Sequence, residues 1–285
     1  NPRLVYAFAH GYKRSGPYGH QPAYDDLVQS ASGGAMLQTR VDGGPPRFMP
    51  TLVADKTTGL HLAMAMLAAL LHRERTGAGQ MVEVPMLESV TSFWLIEHLF
   101  DHTFDPPRGA MGYERILNEF RRPYATKDGY VMALPYTEKH WRAFTRGCGR
   151  EDLATDPRFA TLAARANNQP AAMAAIAEIM ASRTTAEWLT FCDGHDVPAQ
   201  RINSLEDLFE DPHLKATGFF ERREHPSEGP IWTMASPFSF SATPTTYHRH
   251  APVLGSDGAE VLGEAGLGAD DIAALRTDGA LIEGP

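Results

Sequence analysis

From Thr57 to Arg75 apolar residues fall almost all round the helical period. Leu60, Met64, Leu67, Leu70 and Leu71 stand among Ala and Met, and the pattern predicts a buried α-helix. His72-Arg73-Glu74-Arg75-Thr76-Gly77 closes it, with basic residues in the last turn and a glycine beyond, as the helix dipole and a left-handed cap favour. Upstream, Leu4 to Ala9 reads as a buried strand, followed by a loop marked by Gly11, Gly16, Pro17 and Gly19. Downstream, Gln80 to Met86 alternates like a short strand, and Leu87 to Phe100 returns to helical spacing through Val90, Phe93, Trp94 and Leu99. Strand, helix, strand, helix is an α/β order. Asp105-Pro106-Pro107-Arg108-Gly109 breaks it, and shorter amphipathic helices follow around one strand-like piece, Gly129 to Leu134. Thr184-Thr185-Ala186-Glu187 and Ser204-Leu205-Glu206-Asp207 have the spacing of helix-opening caps. Beyond Gly218 the chain is rich in Pro, Gly and Ser to about Pro252, with Ile231 to Met234 and Phe238 to Phe240 as extended pieces, and two short helical patterns lie between Gly258 and Leu281. These changes of texture divide the chain into 1–108, 109–217 and 218–285.

Composition narrows the function classes. With 43% hydrophobic and 21% charged residues the 285-residue chain is globular in type. A net charge of -9, with no basic stripe interleaved with aromatics, argues against nucleic acid as a partner but leaves room for a small anion held by local cations. The longest apolar stretch, Leu60 to Leu71, is interrupted by His61 and falls far short of the roughly 20 residues a membrane-spanning helix needs. Cys148 and Cys192 form neither a disulfide framework nor a zinc spacing, which favours a reducing compartment, so a cytoplasmic location without a metal is expected. The chain opens at Asn1 and enters a strand at once, an abrupt start that suggests a preceding segment.

A series of short stretches, taken in order, carries a resemblance. It runs through Asn1-Pro2-Arg3-Leu4-Val5, Ser15-Gly16-Pro17-Tyr18, Pro22-Ala23-Tyr24-Asp25, Ala54-Asp55 with Thr58-Gly59, Arg73 to Gln80, and Tyr124 to Tyr130. Further on come Asp156-Pro157-Arg158-Phe159, Glu187-Trp188, Val197-Pro198-Ala199, Asp211-Pro212 and Ala251-Pro252-Val253-Leu254-Gly255. None is specific alone, but their joint order resembles the family III CoA-transferases, the CaiB/BaiF group that includes formyl-CoA transferase and carnitine CoA-transferase. The resemblance implies an α/β chain with a Rossmann-like large domain, incomplete at its N-terminus, built from residues 1–108 and the return segment 218–285. It also implies a small α+β middle domain over 109–217 and a homodimer of interlocked rings. The implied substrates are an acyl-CoA and a carboxylic acid, with a coenzyme A thioester as substrate and no tightly bound cofactor.

Asp55 lies between the apolar Leu52-Val53-Ala54 and the long helix. A helix N-terminus favours an anion by about 0.3 to 1 kcal/mol at exposed sites, so the position suits a carboxylate nucleophile, and it equally suits a simple helix cap. The resemblance places Asp55 on the family's nucleophilic aspartate, which attacks the acyl-CoA thioester to form an aspartyl mixed anhydride. Backbone N–H groups at the start of the helix are candidate donors to the carbonyl oxygens that gain charge. By the same resemblance Pro22, Ala23, Tyr24 and Asp25 match a CoA-contacting stretch, with Pro22 replacing a lysine, and Met86 matches a methionine flanking the site. The glycine-rich loop of formyl-CoA transferase has no counterpart in Met111 to Asn118, which points to an acyl group larger than oxalate.

Two other readings use the same residues. In an α-methylacyl-CoA racemase a histidine and an aspartate exchange a proton at the carbon next to the thioester carbonyl. Asp55 would be the aspartate, but by the resemblance Tyr24 fills the histidine's position, and a phenol is a poor base at neutral pH. A truncated, non-catalytic CoA-binding module is the other. Cys192 and His195, one helical turn apart, could form a thiol nucleophile or half a metal site, but no further ligand lies near them.

Overall fold

The computed structural model describes residues 1–283, whose contacts gather into two compact units that part between Ile202 and Asn203. The first unit opens with β1 (Tyr6–His10), which pairs in parallel with β2 (Met81–Pro85) in the register Tyr6 to Met81 through His10 to Pro85. Parallel neighbours need a crossover. Here it holds α1 (Asp25–Ala31), α2 (Gly34–Asp42) and the 24-residue α3 (Val53–Thr76), and α4 (Met86–His98) follows β2 without a loop. Val28, Ala54, Val90 and Trp94 form the apolar cluster where α1, α3 and α4 meet. Gly77 ends α3 in a left-handed conformation (φ 78°) and donates its N–H to Arg73 O, the cap its sequence predicts.

The expectation of a fully buried α3 is corrected. Its buried residues are Ala54, Thr57, Thr58 and Ala69, while Leu60, Met64, Leu67 and Leu71 are all more than half exposed. The partners this chain supplies, β1, β2, α1 and α4, cover one side of a helix that is apolar nearly all round.

Residues 124–201 carry a second cluster. A three-stranded antiparallel sheet of β3 (Tyr124–Ala125), β4 (Tyr130–Ala133) and β5 (Ala199–Arg201) is accompanied by α5 (Glu138–Gly147), α6 (Glu151–Thr155), α7 (Leu162–Asn167), α8 (Gln169–Met180) and α9 (Thr185–Gly194). Trp141, Phe144, Phe159, Met180 and Trp188 fill its centre. The Trp indoles spend their N–H groups on Leu153 O and Met180 O, as buried donors must. Two clusters thus lie on either side of the Asp105-Pro106-Pro107 break, inside one compact unit.

The second unit contains α10 (Pro212–Ala216), an antiparallel pair of β6 (Phe220–His225) and β7 (Gly229–Met234), and the short helices α11 (Gly258–Glu264) and α12 (Ala269–Thr277). Phe238 to Phe240, expected to be extended, forms no strand, whereas the charge-rich Phe220-Glu221-Arg222-Arg223-Glu224-His225 does, held by its backbone ladder to β7. Among the described residues no helix is long and apolar enough to cross a membrane.

Candidate active site

Tyr24 is the N-cap of α1 in extended conformation, and its ring is 74% exposed. The next residue is turned inward: Asp25 is 6% exposed, and its Oδ1 accepts the Ala54 N–H at 2.7 Å and the Asp55 N–H at 3.2 Å. Its Oδ2 accepts the Gln29 side-chain amide at 2.6 Å, while Gln29 Oε1 accepts the Met49 N–H at 2.9 Å. One carboxylate therefore caps α3 from α1 and ties the backbone of Asp55 to the start of the helix that carries Tyr24. Carboxylate caps of orphan N–H groups are among the stronger hydrogen bonds in proteins.

Asp55 is the third residue of α3, because the helix starts earlier than its apolar periodicity suggests. It does not cap the helix. Its side chain is exposed, and among the described residues no hydrogen bond or ion pair engages its carboxylate. The expectation that the helix start offers free N–H donors to a developing oxyanion does not hold. Val53 N–H donates to Thr51 O (2.8 Å), Ala54 and Asp55 N–H to Asp25, and Lys56 N–H to Leu52 O (3.1 Å).

The remaining candidates gather round the same apolar cluster. Ala23, Val53 and Met86 pack against Val28, Ala54, Val90 and Trp94. Ala23 fits against Gly11, where a Cβ would come within 2.1 Å of the Ala23 Cβ, so that position requires glycine. Gly11 O in turn accepts the Leu87 N–H beside Met86. Met86 is half-buried and Pro22 is exposed. Gly11 and Met86 directly follow the carboxyl ends of β1 and β2, the edge at which open α/β sheets place their ligands. Beside it Glu83 Oε1 lies 2.9 Å from His10 Nε2 and accepts the Arg14 N–H at 2.9 Å, a bond that holds the Glu83 carboxyl below its ordinary range. Sequence reasoning missed Gln29 and Glu83, whose partners lie 20 and 69 residues away.

Cys192 and His195 take structural positions. Burial pushes the Cys192 thiol up to about 11, and Cys148 likewise, so neither supplies a thiolate at neutral pH. The His195 ring stacks on Phe191 at 4.1 Å, with Nδ1 2.7 Å from Phe191 O. Among the described residues no group of three His, Cys, Asp or Glu could hold a metal ion. The segment after Ala110 is tied back: Gly112 and Tyr113 donate N–H groups to His98 O and Nδ1, and Arg40 donates to Met111 O.

A model of the family described as CoA-transferase family III matches residues 1–258. The chain belongs to CoA-transferase family III. This family III CoA-transferase is 30% identical, over 308 aligned positions, to the formyl-CoA:oxalate CoA-transferase of Escherichia coli O157:H7 (strain EC4115 / EHEC), spanning 99% of this chain and 72% of that protein. It has the same identity to the formyl-CoA:oxalate CoA-transferase of Shigella dysenteriae serotype 1 (strain Sd197). Among solved structures it resembles the orthorhombic form of Rv3272 from M. tuberculosis, with a TM-score of 0.73 and 26% identity over 91% of this chain and 69% of that one. A CAIB/BAIF family protein from Brucella suis gives the same TM-score and identity over 93% of this chain and 68% of its own. The family III CoA-transferase described here is thus an enzyme of mixed α/β fold whose reaction class is CoA transfer.

Proposed function

We propose that this chain moves CoA between an acyl-CoA and a free carboxylic acid through anhydrides formed on Asp55. The observation that carries the reading is an exposed carboxylate, unpaired among the described residues, on a backbone that Asp25 fixes. An Asp55 oxygen attacks the thioester carbonyl, the C–S bond breaks, and an aspartyl-acyl anhydride and CoA thiolate result. The thiolate then attacks the Asp55 carbonyl, releasing the donor acid and leaving an Asp55–CoA thioester. The acceptor carboxylate displaces the thiolate to form a second anhydride, and the thiolate takes the acceptor acyl group and frees Asp55. Each step exchanges one acyl C–O or C–S bond, and no oxidant or reductant enters. With the helix-start N–H groups spent internally, donors to the carbonyl oxygens come from outside residues 53–56.

In this reading Tyr24 and Met86 flank the thioester, Pro22 and Ala23 line the approach of the CoA arm, and Asp25 acts through the backbone of Asp55. Residues 1–108 and 218–285 form a Rossmann-like large domain, 109–217 the small domain, and two chains interlock as a homodimer in the cytoplasm, with no tightly bound cofactor. The absence of a glycine-rich closing loop favours an acyl group larger than oxalate. The test is transfer from a panel of acyl-CoAs to isotope-labelled carboxylates. Asp55→Ala is expected to lose activity by about a thousandfold or more with an unchanged unfolding midpoint. Exchange of the substrate's α-proton with deuterated solvent, without CoA transfer, would instead point to a racemase.

A further inference from the structure

A cavity of about 90 Å³ lies between the three-stranded sheet and helices α5, α7 and α8, outside the Asp55 site. Its wall is mainly apolar, with Trp141 and Ile176 prominent; Tyr136 and Gln169 line it too, beside three residues whose guanidinium or hydroxyl groups bear on an anion, Arg115, Arg165 and Tyr124. All three are hydrogen-bond donors. The Tyr124 Oη is buried without a partner among the described residues, in a residue only 3% exposed, and burial pushes its pKa up to about 12, which keeps it a protonated donor at neutral pH. Unpaired buried hydroxyls are costly, and one on a cavity wall marks a place where a ligand atom would be welcome.

The two cations strengthen the point. Arg165 is 6% exposed and spends NH1 on Phe159 O (2.7 Å) and NH2 on Tyr136 O (3.0 Å), but makes no ion pair among the described residues. Arg115 lies beside the Tyr136 and Tyr113 hydroxyls, which raise its pKa, and it too has no carboxylate partner among the described residues. Glu138, the acid that faces Arg165, is already paired with Arg142 at 3.3 Å. An unpartnered hydroxyl and two guanidinium groups that have no carboxylate partner among the described residues, beside an apolar wall, fit an anion with a hydrocarbon body. The volume is that of about three water molecules, room for a carboxylate group, and the cavity opens to solvent, so a short hydrocarbon chain can extend from it along the apolar mouth.

We propose that this cavity is a second ligand site, taking a short aliphatic carboxylate whose oxygens meet Arg115 and Tyr124 and whose chain lies against Trp141 and Ile176. The inference rests on the cavity alone and not on the Asp55 reaction. It is tested on the full chain by calorimetric titration with butyrate, with butyramide as the uncharged isostere. Saturable butyrate binding is expected in the wild type and undiminished in Asp55→Asn. Arg115→Gln, and butyramide in place of butyrate, should each bind about tenfold more weakly. Ala166→Phe, at the half-buried cavity rim, should block binding. Binding lost in Asp55→Asn, butyramide bound as well as butyrate, or no saturable binding at all would overturn the proposal. Should Arg115→Gln fail to fold, unchanged binding in Ala166→Phe would overturn it by itself.

Discussion

Asp25 follows Tyr24 in the chain but has the opposite exposure, its carboxylate buried under the first turn of α3 while the phenol ring stands in solvent. Removing it exposes two consequences together. Asp25→Ala frees the Ala54 and Asp55 N–H groups and strands the Gln29 amide, which is 1% exposed, so about 2 to 4 kcal/mol of stability should be lost. Denaturant unfolding measures that loss, and CoA transfer should fall with it, whereas Asp25→Asn keeps an acceptor for the helix and should lose less of both. The exposed candidates Tyr24 and Asp55 were legible in the sequence through a family pattern. The cap was not, because Asp25 and its acceptor role span 29 and 30 residues, and local caps are recognised only at spacings of about three.

Elements divide along the same line of local against distant cause. The helix α9 was legible from its opening residues: Thr184 Oγ1 accepts the Glu187 N–H at 3.3 Å and Glu187 Oε2 accepts the Thr184 N–H at 2.8 Å. Thr184→Ala should therefore lower stability by about 1 kcal/mol with CoA transfer per folded molecule unchanged, as thermal unfolding beside an activity assay would show. Helix α3 was legible as a helix and misjudged as buried. Apolar periodicity states which residues gain from cover, whereas burial depends on what the rest of the chain supplies, and the described residues leave Leu60, Met64, Leu67 and Leu71 more than half exposed. Strand β6 escaped notice because Glu221, Arg222, Arg223 and Glu224 mask its period, and only the pairing with β7 makes it a strand.

At the scale of the whole molecule, α/β class and family were readable from the order of elements and motifs, while the compact units, parting at Ile202 and Asn203, depend on contacts that no local texture announces. The charge pattern has a consequence for acid stability. The Thr185 N–H holds Asp128 below the ordinary carboxylate range, the Arg158 guanidinium does so for Asp156, the Thr184 N–H for Glu187 and the Leu214 N–H for Asp211. Each folded pKa lies under its unfolded value, so the unfolded chain binds protons first as the pH falls. Their stabilisation is complete above the unfolded values and should drain away below about pH 4.5. Denaturant midpoints at pH 7, 4 and 3 would fall in that order, and a midpoint independent of pH would contradict the account. The central claim, that the Asp55 carboxylate becomes acylated, is tested most directly by trapping acyl-CoA-treated enzyme with hydroxylamine and mapping the modified peptide by mass spectrometry. The account predicts a hydroxamate on Asp55 that Asp55→Ala lacks, and a hydroxamate on another residue, or an adduct that survives Asp55→Ala, would contradict it.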